Sequence, residues 1–163
     1  MGGTIVCDVT DPPAGQSAAE FAGALGARLG LRLVLVYVVS GPSAVAGESV
    51  TGRQDRGGAE RTLAAIAREL GHAAEMRVAV GEHAEALARV AAEEGADLIV
   101  VGARSAGVGG RKLRWTLARD LEAATSVPVL LAPPSTRKRS DRRLGGAASG
   151  RAASAPLDRK GWR

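Results

Sequence analysis

Short apolar runs alternate with longer amphipathic segments along most of the chain. Runs of this kind, rich in Val, Leu and Ile and bounded by glycine or polar residues, are typical of strands buried on both faces of a parallel sheet. We predict five strands, at residues 4–8, 32–39, 74–80, 98–101 and 127–131. The third alternates only weakly between apolar and polar residues, so we expect it at an edge of the sheet.

The segments between these strands carry apolar residues at helical spacing. A capping box, Ser17 and Glu20, predicts the start of the first helix, and Gly30 its end. Residues 40–58 are polar and glycine-bearing, and we predict an irregular connection there. The positions predicted to face the sheet are Ala18, Phe21, Leu25 and Leu29, then Ala59, Leu63, Ile66 and Leu70, then Leu87, Val90 and Ala91 of a helix at 82–94, then Leu113, Leu117, Leu121 and Ala124.

Strands and helices therefore alternate regularly from the first strand to the fifth. This order predicts an α/β fold, a three-layer sandwich with a five-stranded, parallel, doubly wound sheet. We expect residues 1–134 to form this one domain. Ligands of such sheets bind beyond the carboxyl ends of the strands where the strand order reverses, so the loops after the first and fourth strands should meet.

The basic charge of the chain is concentrated at its end. Residues 135–163 contain nine Lys and Arg against two Asp, and almost no core-forming residues. Such a composition predicts a disordered tail, whereas the preceding residues are slightly acidic. A basic tail with Trp162 could contact nucleic acid or acidic partners, but a solvated extension without a dedicated partner is the favoured interpretation.

The cysteine content and hydropathy bear on the cellular compartment. Cys7 is the one cysteine, which excludes an internal disulfide framework and a cysteine-based metal cluster. No apolar run approaches the ~20 residues of a membrane span, and the start lacks the pattern of a signal peptide. We expect a cytoplasmic protein with no membrane partner.

The residues best suited to binding a ligand follow the fourth strand. Residues 103–111 contain three glycines and two arginines and lead into the last predicted helix. Backbone N–H groups at such a loop and helix start can bind a phosphate, aided by Arg104, Arg111 and Lys112. The alternative is a turn that needs glycine only for its geometry, with solvated basic side chains. Asp8, at the end of the first strand, either contacts a ligand or caps its own loop.

Four segments, residues 5–8, 33–38, 96–102 and 127–131, resemble the universal stress protein family over residues 4–133. The resemblance implies an adenine-nucleotide α-hydrolase-like fold and a stress-response protein that binds ATP, together with Mg²⁺, or another adenine nucleotide. It also implies a homodimer formed through the last strand, Val127 to Leu131. The alternative is a dimeric interaction module that binds no nucleotide.

ATP-binding members of that family carry the motif G-x-x-G, nine residues, then G-S/T. Gly102 and Thr116 match it, whereas Ser105 and Trp115 replace two of its glycines. Trp115 could obstruct phosphate entry, stack on a base or cover a dimer contact. By resemblance, the adenosine side would be bound by Asp8 and the Val38 backbone, and the phosphate side by Gly102, Ser105, Gly107 and Thr116.

Nothing in the sequence predicts strong catalysis. It shows no recognisable Ser-His-Asp order or Cys-His couple, so at most slow ATP hydrolysis is expected. His72 follows a helix stop and His83 lies in the first turn of a helix, without a second metal ligand at suitable spacing. We therefore assign both histidines to surface roles and expect no metal site.

Overall fold

The computed structural model of the chain describes residues 2–40, 50–71, 73–103 and 110–134, and their side chains except at 12–13, 50–54 and 110–116. Five strands alternate with four helices in these segments. The strands are β1 (Thr4–Asp8), β2 (Arg32–Val39), β3 (Glu75–Val80), β4 (Leu98–Gly102) and β5 (Val129–Ala132). The helices are α1 (Pro12–Leu29), α2 (Val50–Leu70), α3 (His83–Glu93) and α4 (Gly110–Ala124).

The strands form one parallel sheet in the order β3-β2-β1-β4-β5. The predicted α/β class and the edge position of β3 are confirmed. β1 lies at the centre, and all five of its residues are buried. The chain order reverses between β1 and β4, so this pair of strands marks the point where a ligand crevice is expected.

Successive side chains of β1 enter different cores because a strand projects them alternately to the two faces of the sheet. Ile5 and Cys7 pack in the core that also contains residues of α1 and α2. Val6 packs in the other core, with residues of α3 and α4. Asp8 has the parity of Val6, so its carboxylate lies on the α3 side of the sheet.

The predicted start of α1 is wrong. The helix begins at Pro12, with Asp11 at the N-cap position, and Ser17 is a buried residue inside it. Proline favours the first helical turn because its fixed φ suits the helix and its missing N–H would have had no partner there. The Asp-Pro-Pro sequence was therefore the start signal, and the capping box was a coincidence of spacing.

The predicted connection at 40–58 is too long, since α2 already begins at Val50. Gly57 and Gly58 lie inside the helix. Glycine has low helix propensity and no apolar side chain, so the pair hides the helical period from the sequence. The predicted inner face is otherwise correct: Ala59, Leu63 and Ile66 are buried. Residues 41–49 lie outside the described part of the chain.

Small residues make the buried face of α1. Ala14, Ala18 and Ala22 are buried at helical spacing, whereas Leu29, predicted to face the sheet, is 62% exposed. Alanine lets the helix lie close to the strands, so large side chains have no room on the central line of contact. The result is an α1 backbone that lies directly over the ends of β1 and β4.

The residues predicted to face the sheet from α3 and α4 are largely correct. Leu87, Val90 and Ala91 of α3 are buried, as is Leu121 of α4. The exception among the described side chains is Ala124, which is exposed in the final residue of α4. No helix in the described segments is both long and apolar enough to cross a lipid bilayer.

Candidate functional site

The candidate site begins with Asp8, the last residue of the central strand. The residue is 7% exposed. The β1 register pairs Asp8 with Val36 of β2, and Cys7 with Val100 of β4. Val38 and Gly102 each lie two residues beyond these partners, so the carboxyl ends of β2, β1 and β4 meet at one edge.

Thr10 connects Asp8 to β2. Asp8 Oδ1 accepts hydrogen bonds from the Thr10 backbone N–H at 3.0 Å and from the Thr10 hydroxyl at 2.6 Å. The Thr10 Oγ1 in turn accepts a hydrogen bond from the Val38 backbone N–H at 2.9 Å. Asp8 and Val38, both predicted as site residues, are thus joined through Thr10, which the sequence reasoning missed. An Asp followed two residues later by Thr is a signal for this kind of turn.

His83 contacts the other oxygen of the same carboxylate. Its Nε2 lies 2.9 Å from Asp8 Oδ2. His83 is the first residue of α3, and Glu82 before it caps the helix by accepting a hydrogen bond from the Glu85 N–H. The assignment of His83 to a surface role is therefore wrong: its side chain is 29% exposed and paired. His72 lies outside the described residues.

The protonation of His83 reflects two opposing effects. Burial disfavours the charged imidazolium and lowers the pKa, but the hydrogen bond to Asp8 and the negative charges of Asp8 and Glu82 outweigh it. The pKa of His83 is therefore raised above its ordinary value of 6.5. A larger fraction of the imidazole is protonated at neutral pH than in an isolated histidine.

Two glycines permit the close approach of α1 to the strand ends. A Cβ on Gly102 would collide with the backbone carbonyl of Ala14, and one on Gly15 would lie within 3 Å of the Val9 backbone. Gly102 is thus required by packing alone. Whether it also admits a phosphate stays a prediction.

The other predicted phosphate contacts are residues that the structure does not describe or describes only by their backbone. Ser105 and Gly107 are outside the described residues, as is Arg104. Thr116, like Trp115, belongs to the helical backbone of α4, and its side chain is not among those described. The structure therefore brings together Asp8, Val38 and Gly102 at one edge of the sheet, and the remaining site residues stay predictions.

The described polar groups of this edge are a carboxylate, which accepts hydrogen bonds, and a backbone N–H that already has a partner. The Asp8 carboxylate is an acceptor for hydroxyl groups such as those of ribose. The Val38 N–H is already donated to Thr10. A ligand that accepted a hydrogen bond from this N–H would have to displace the Thr10 hydroxyl.

A groove of about 650 Å³ lies elsewhere in the described part of the chain. It runs between edge strand β3 and α3 and is lined by charged side chains that include Arg77, Glu85 and Arg89. Arg77 is paired there with Glu93 at 2.7 Å. Asp8, Val38 and Gly102 are not among the residues that line this groove, so we do not place the candidate ligand in it.

A parallel α/β sandwich with polar groups at the ends of its central strands defines a class of ligand-binding domain. The family model described as the universal stress protein family matches residues 1–133. The chain belongs to this family, as the resemblance of its strands predicted.

Solved structures show the same fold. A universal stress protein in complex with cAMP is 21% identical, with a TM-score of 0.65 over 82% of this chain and 98% of that one. A family protein from Burkholderia pseudomallei is 27% identical, with a TM-score of 0.62 and coverage of 82% and 96%. A universal stress protein from Archaeoglobus fulgidus, in complex with dAMP, is 18% identical, with a TM-score of 0.55 and coverage of 80% and 97%. A search of curated proteins finds no match.

Proposed function

We propose that this chain is a stress-response protein that binds an adenine nucleotide, with ATP and Mg²⁺ as the first candidates, where β1, β2 and β4 end. The observation that carries the proposal is the network of Asp8, Thr10 and Val38 at this edge of the sheet. Two further facts support it. The chain belongs to the universal stress protein family, and two relatives of the same fold are complexes with cAMP and dAMP.

The proposed roles follow the positions of the strand ends. Asp8 accepts hydrogen bonds from the ribose hydroxyls, and the backbone at Val38 lies beside the adenine. The phosphates lie toward Gly102 and the start of α4 at Gly110, where the first N–H groups of a helix favour an anion. Ser105, Gly107 and Thr116 complete the phosphate side in this proposal, and Mg²⁺ would be bound together with ATP.

A dimer forms part of the proposal. β5 is an edge strand, and Leu131 on it is 42% exposed. An unpaired edge with an exposed leucine is suited to pairing with its own copy across a two-fold axis. We also place the protein in the cytoplasm, because Cys7 is a free thiol.

Two observations favour a second candidate function, a dimeric interaction module that binds no nucleotide. The Val38 N–H already has a partner in Thr10. Gly102, which matches the first glycine of the nucleotide motif, is explained by the close approach of Ala14. In this alternative the basic residues 135–163 supply a contact to nucleic acid or to acidic partners.

Calorimetric titration of the full chain with ATP and Mg²⁺, AMP and cAMP tests the proposal. We expect a Kd of about 1–100 µM for at least one of them, weakened about tenfold or more by Asp8→Asn. Asp97→Asn is the matched control. Asp97 accepts a hydrogen bond from the Thr4 N–H at 2.8 Å, at the opposite end of the central strand, so its loss should leave the affinity unchanged.

Trp115→Gly separates the two candidate functions. Binding that appears only in this variant would show that the indole closes a site that is otherwise intact. No heat from any nucleotide, in the wild type or in Trp115→Gly, would contradict nucleotide binding and favour the interaction module.

A further inference from the structure

The Asp8 carboxylate is held at both of its oxygens. Oδ1 accepts two hydrogen bonds from Thr10, and Oδ2 is 2.9 Å from His83 Nε2. A carboxylate offers about four acceptor positions, so about one remains for a ligand. The partners arrive from different parts of the fold: Thr10 follows β1 directly, whereas His83 lies 75 residues away, at the start of α3.

The two hydrogen bonds from Thr10 already fix the conformation of the loop after β1. His83 is not needed for that conformation, and it contributes a positive charge when its imidazole is protonated. Asp8 is buried, and in the described segments His83 is the ionisable group paired with it. His83 also keeps 29% of its side chain exposed, so it can exchange protons with solvent while it contacts the carboxylate.

In the described segments, few charged groups surround His83. α3 packs against β1, β2, β3 and α4. Among the described residues, the charges that act on His83 are Asp8 on β1 and Glu82 at the N-cap of its own helix. The described ionisable side chains of the other packed elements, which are not among those charges, are Arg32, Tyr37, Glu75, Arg77, Arg119, Asp120 and Glu122.

We propose that His83 is a positioning residue for the nucleotide: it orients the Asp8 carboxylate toward the ribose and, when protonated, cancels the carboxylate charge beside an anionic ligand. This inference rests on the proposed function. Loss of the His83 proton leaves the negative charge of Asp8 uncompensated, so the affinity for a nucleotide falls as pH rises. By linkage, nucleotide binding favours protonated His83 and takes up protons.

Titration calorimetry of the full chain with AMP between pH 5.5 and pH 9 tests this inference. We expect the AMP affinity of the wild type to fall by about three- to tenfold across the His83 titration, the effect of one charge at a few ångströms in a partly solvated site. Repeating the titrations in two buffers of different ionisation enthalpy measures the proton uptake. The uptake should be greatest near the pH at which His83 titrates.

His83→Gln distinguishes positioning from a structural role. Glutamine retains an N–H donor for Asp8 but does not titrate between pH 5.5 and pH 9. AMP should therefore still bind to this variant, but the pH dependence of the affinity and the proton uptake that His83 causes should disappear. The phosphate of AMP also titrates near this range, and that contribution is common to all variants. His72→Gln, which removes the other histidine, should behave as the wild type.

Two other outcomes would each refute one of the two proposals. AMP binding with the same pH profile in the wild type and in His83→Gln would refute the role of His83 and leave the proposed function standing. An absence of nucleotide binding at every pH, in the wild type and in Trp115→Gly, would refute the proposed function, and this inference with it. Thermal unfolding of each variant shows whether it is folded under the conditions of the titration.

Discussion

At the residue scale, one threonine hydroxyl connects two strands that the sequence shows as separate. Thr10 donates to Asp8 Oδ1 and accepts from the Val38 N–H, so it ties the loop after β1 to the end of β2. When a partly buried polar group loses its hydrogen-bond partner, the folded protein loses more free energy than the hydrogen bond contributed to stability. This makes Thr10 the residue on which the local geometry of the candidate site depends.

We therefore expect Thr10→Val, which keeps the side-chain shape, to lower the free energy of unfolding by about 1–2 kcal/mol. Urea denaturation measures it. Thr62→Val is the matched control. The Thr62 hydroxyl donates to the Gly58 carbonyl within α2, where the helix itself supplies backbone bonds, so the change there should stay within about 0.5 kcal/mol. Equal effects of the two substitutions would contradict the connecting role of Thr10.

The pair of His83 and Asp8 makes stability depend on pH. A pKa raised in the folded state means that the folded protein binds the proton more tightly than the unfolded chain. The stabilisation is therefore complete below the unfolded value of 6.5 and is lost as pH rises through the higher folded pKa. We expect wild type and His83→Gln to differ most in unfolding free energy near pH 6 and least near pH 9.

Urea denaturation at a series of pH values measures this difference. In Asp8→Asn the pKa of His83, followed by NMR, should fall, because the negative partner is removed. A difference between wild type and His83→Gln that grows toward pH 9 would contradict the assignment of the pair.

At the element scale, replacing a glycine inside a helix and replacing one at a strand end have opposite effects on the stability of this fold. No atom of the described residues lies within 4 Å of a Cβ placed on Gly57 or Gly58 in α2, so packing among these residues does not require the two glycines. Gly102 ends β4 directly beneath the Ala14 carbonyl, so a side chain there must displace α1. The same substitution therefore tests two different roles of glycine.

Gly57→Ala and Gly58→Ala should each raise the free energy of unfolding by about 0.5–1 kcal/mol, since alanine has higher helix propensity and restricts the unfolded chain. Gly102→Ala should lower it by about 1–3 kcal/mol through overpacking. Thermal or urea denaturation gives the signs. A stable Gly102→Ala protein would show that α1 can move away from the strand end, and the packing explanation of Gly102 would fail.

At the scale of the whole molecule, the sheet has two unlike edges. β3 carries the exposed Met76, and its Arg77 is paired with Glu93 and Glu94. β5 is short and carries the exposed Leu131. Charged groups along an edge discourage strand pairing, so β5 is the better edge for the proposed dimer.

Leu131→Lys should convert a dimer into a monomer at about 10 µM, because it places a charge on the pairing edge. Size-exclusion chromatography with light scattering measures the mass. Met76→Lys, the same kind of change on the other edge, should leave the mass unchanged. A wild-type chain that is monomeric at this concentration would contradict the dimer part of the proposal.

The fold class and the edge where the candidate site lies were determined by the sequence itself. Apolar period and strand length are local properties, so residues 4–8 and 32–39 could be assigned as strands without knowledge of their neighbours. The position of Asp8 at a strand end follows from the same local pattern. The family resemblance then supplied the expected roles of Asp8, Val38 and Gly102.

Only the tertiary structure decided which groups these residues meet. The contact of His83 with Asp8 joins positions 75 residues apart and depends on the strand order, which no local pattern specifies. The close approach of α1 to Gly102 is likewise a result of packing between elements. Local periodicity determined what each segment is, and the packing of segments determined that a histidine predicted at the surface is paired with the central carboxylate of the site.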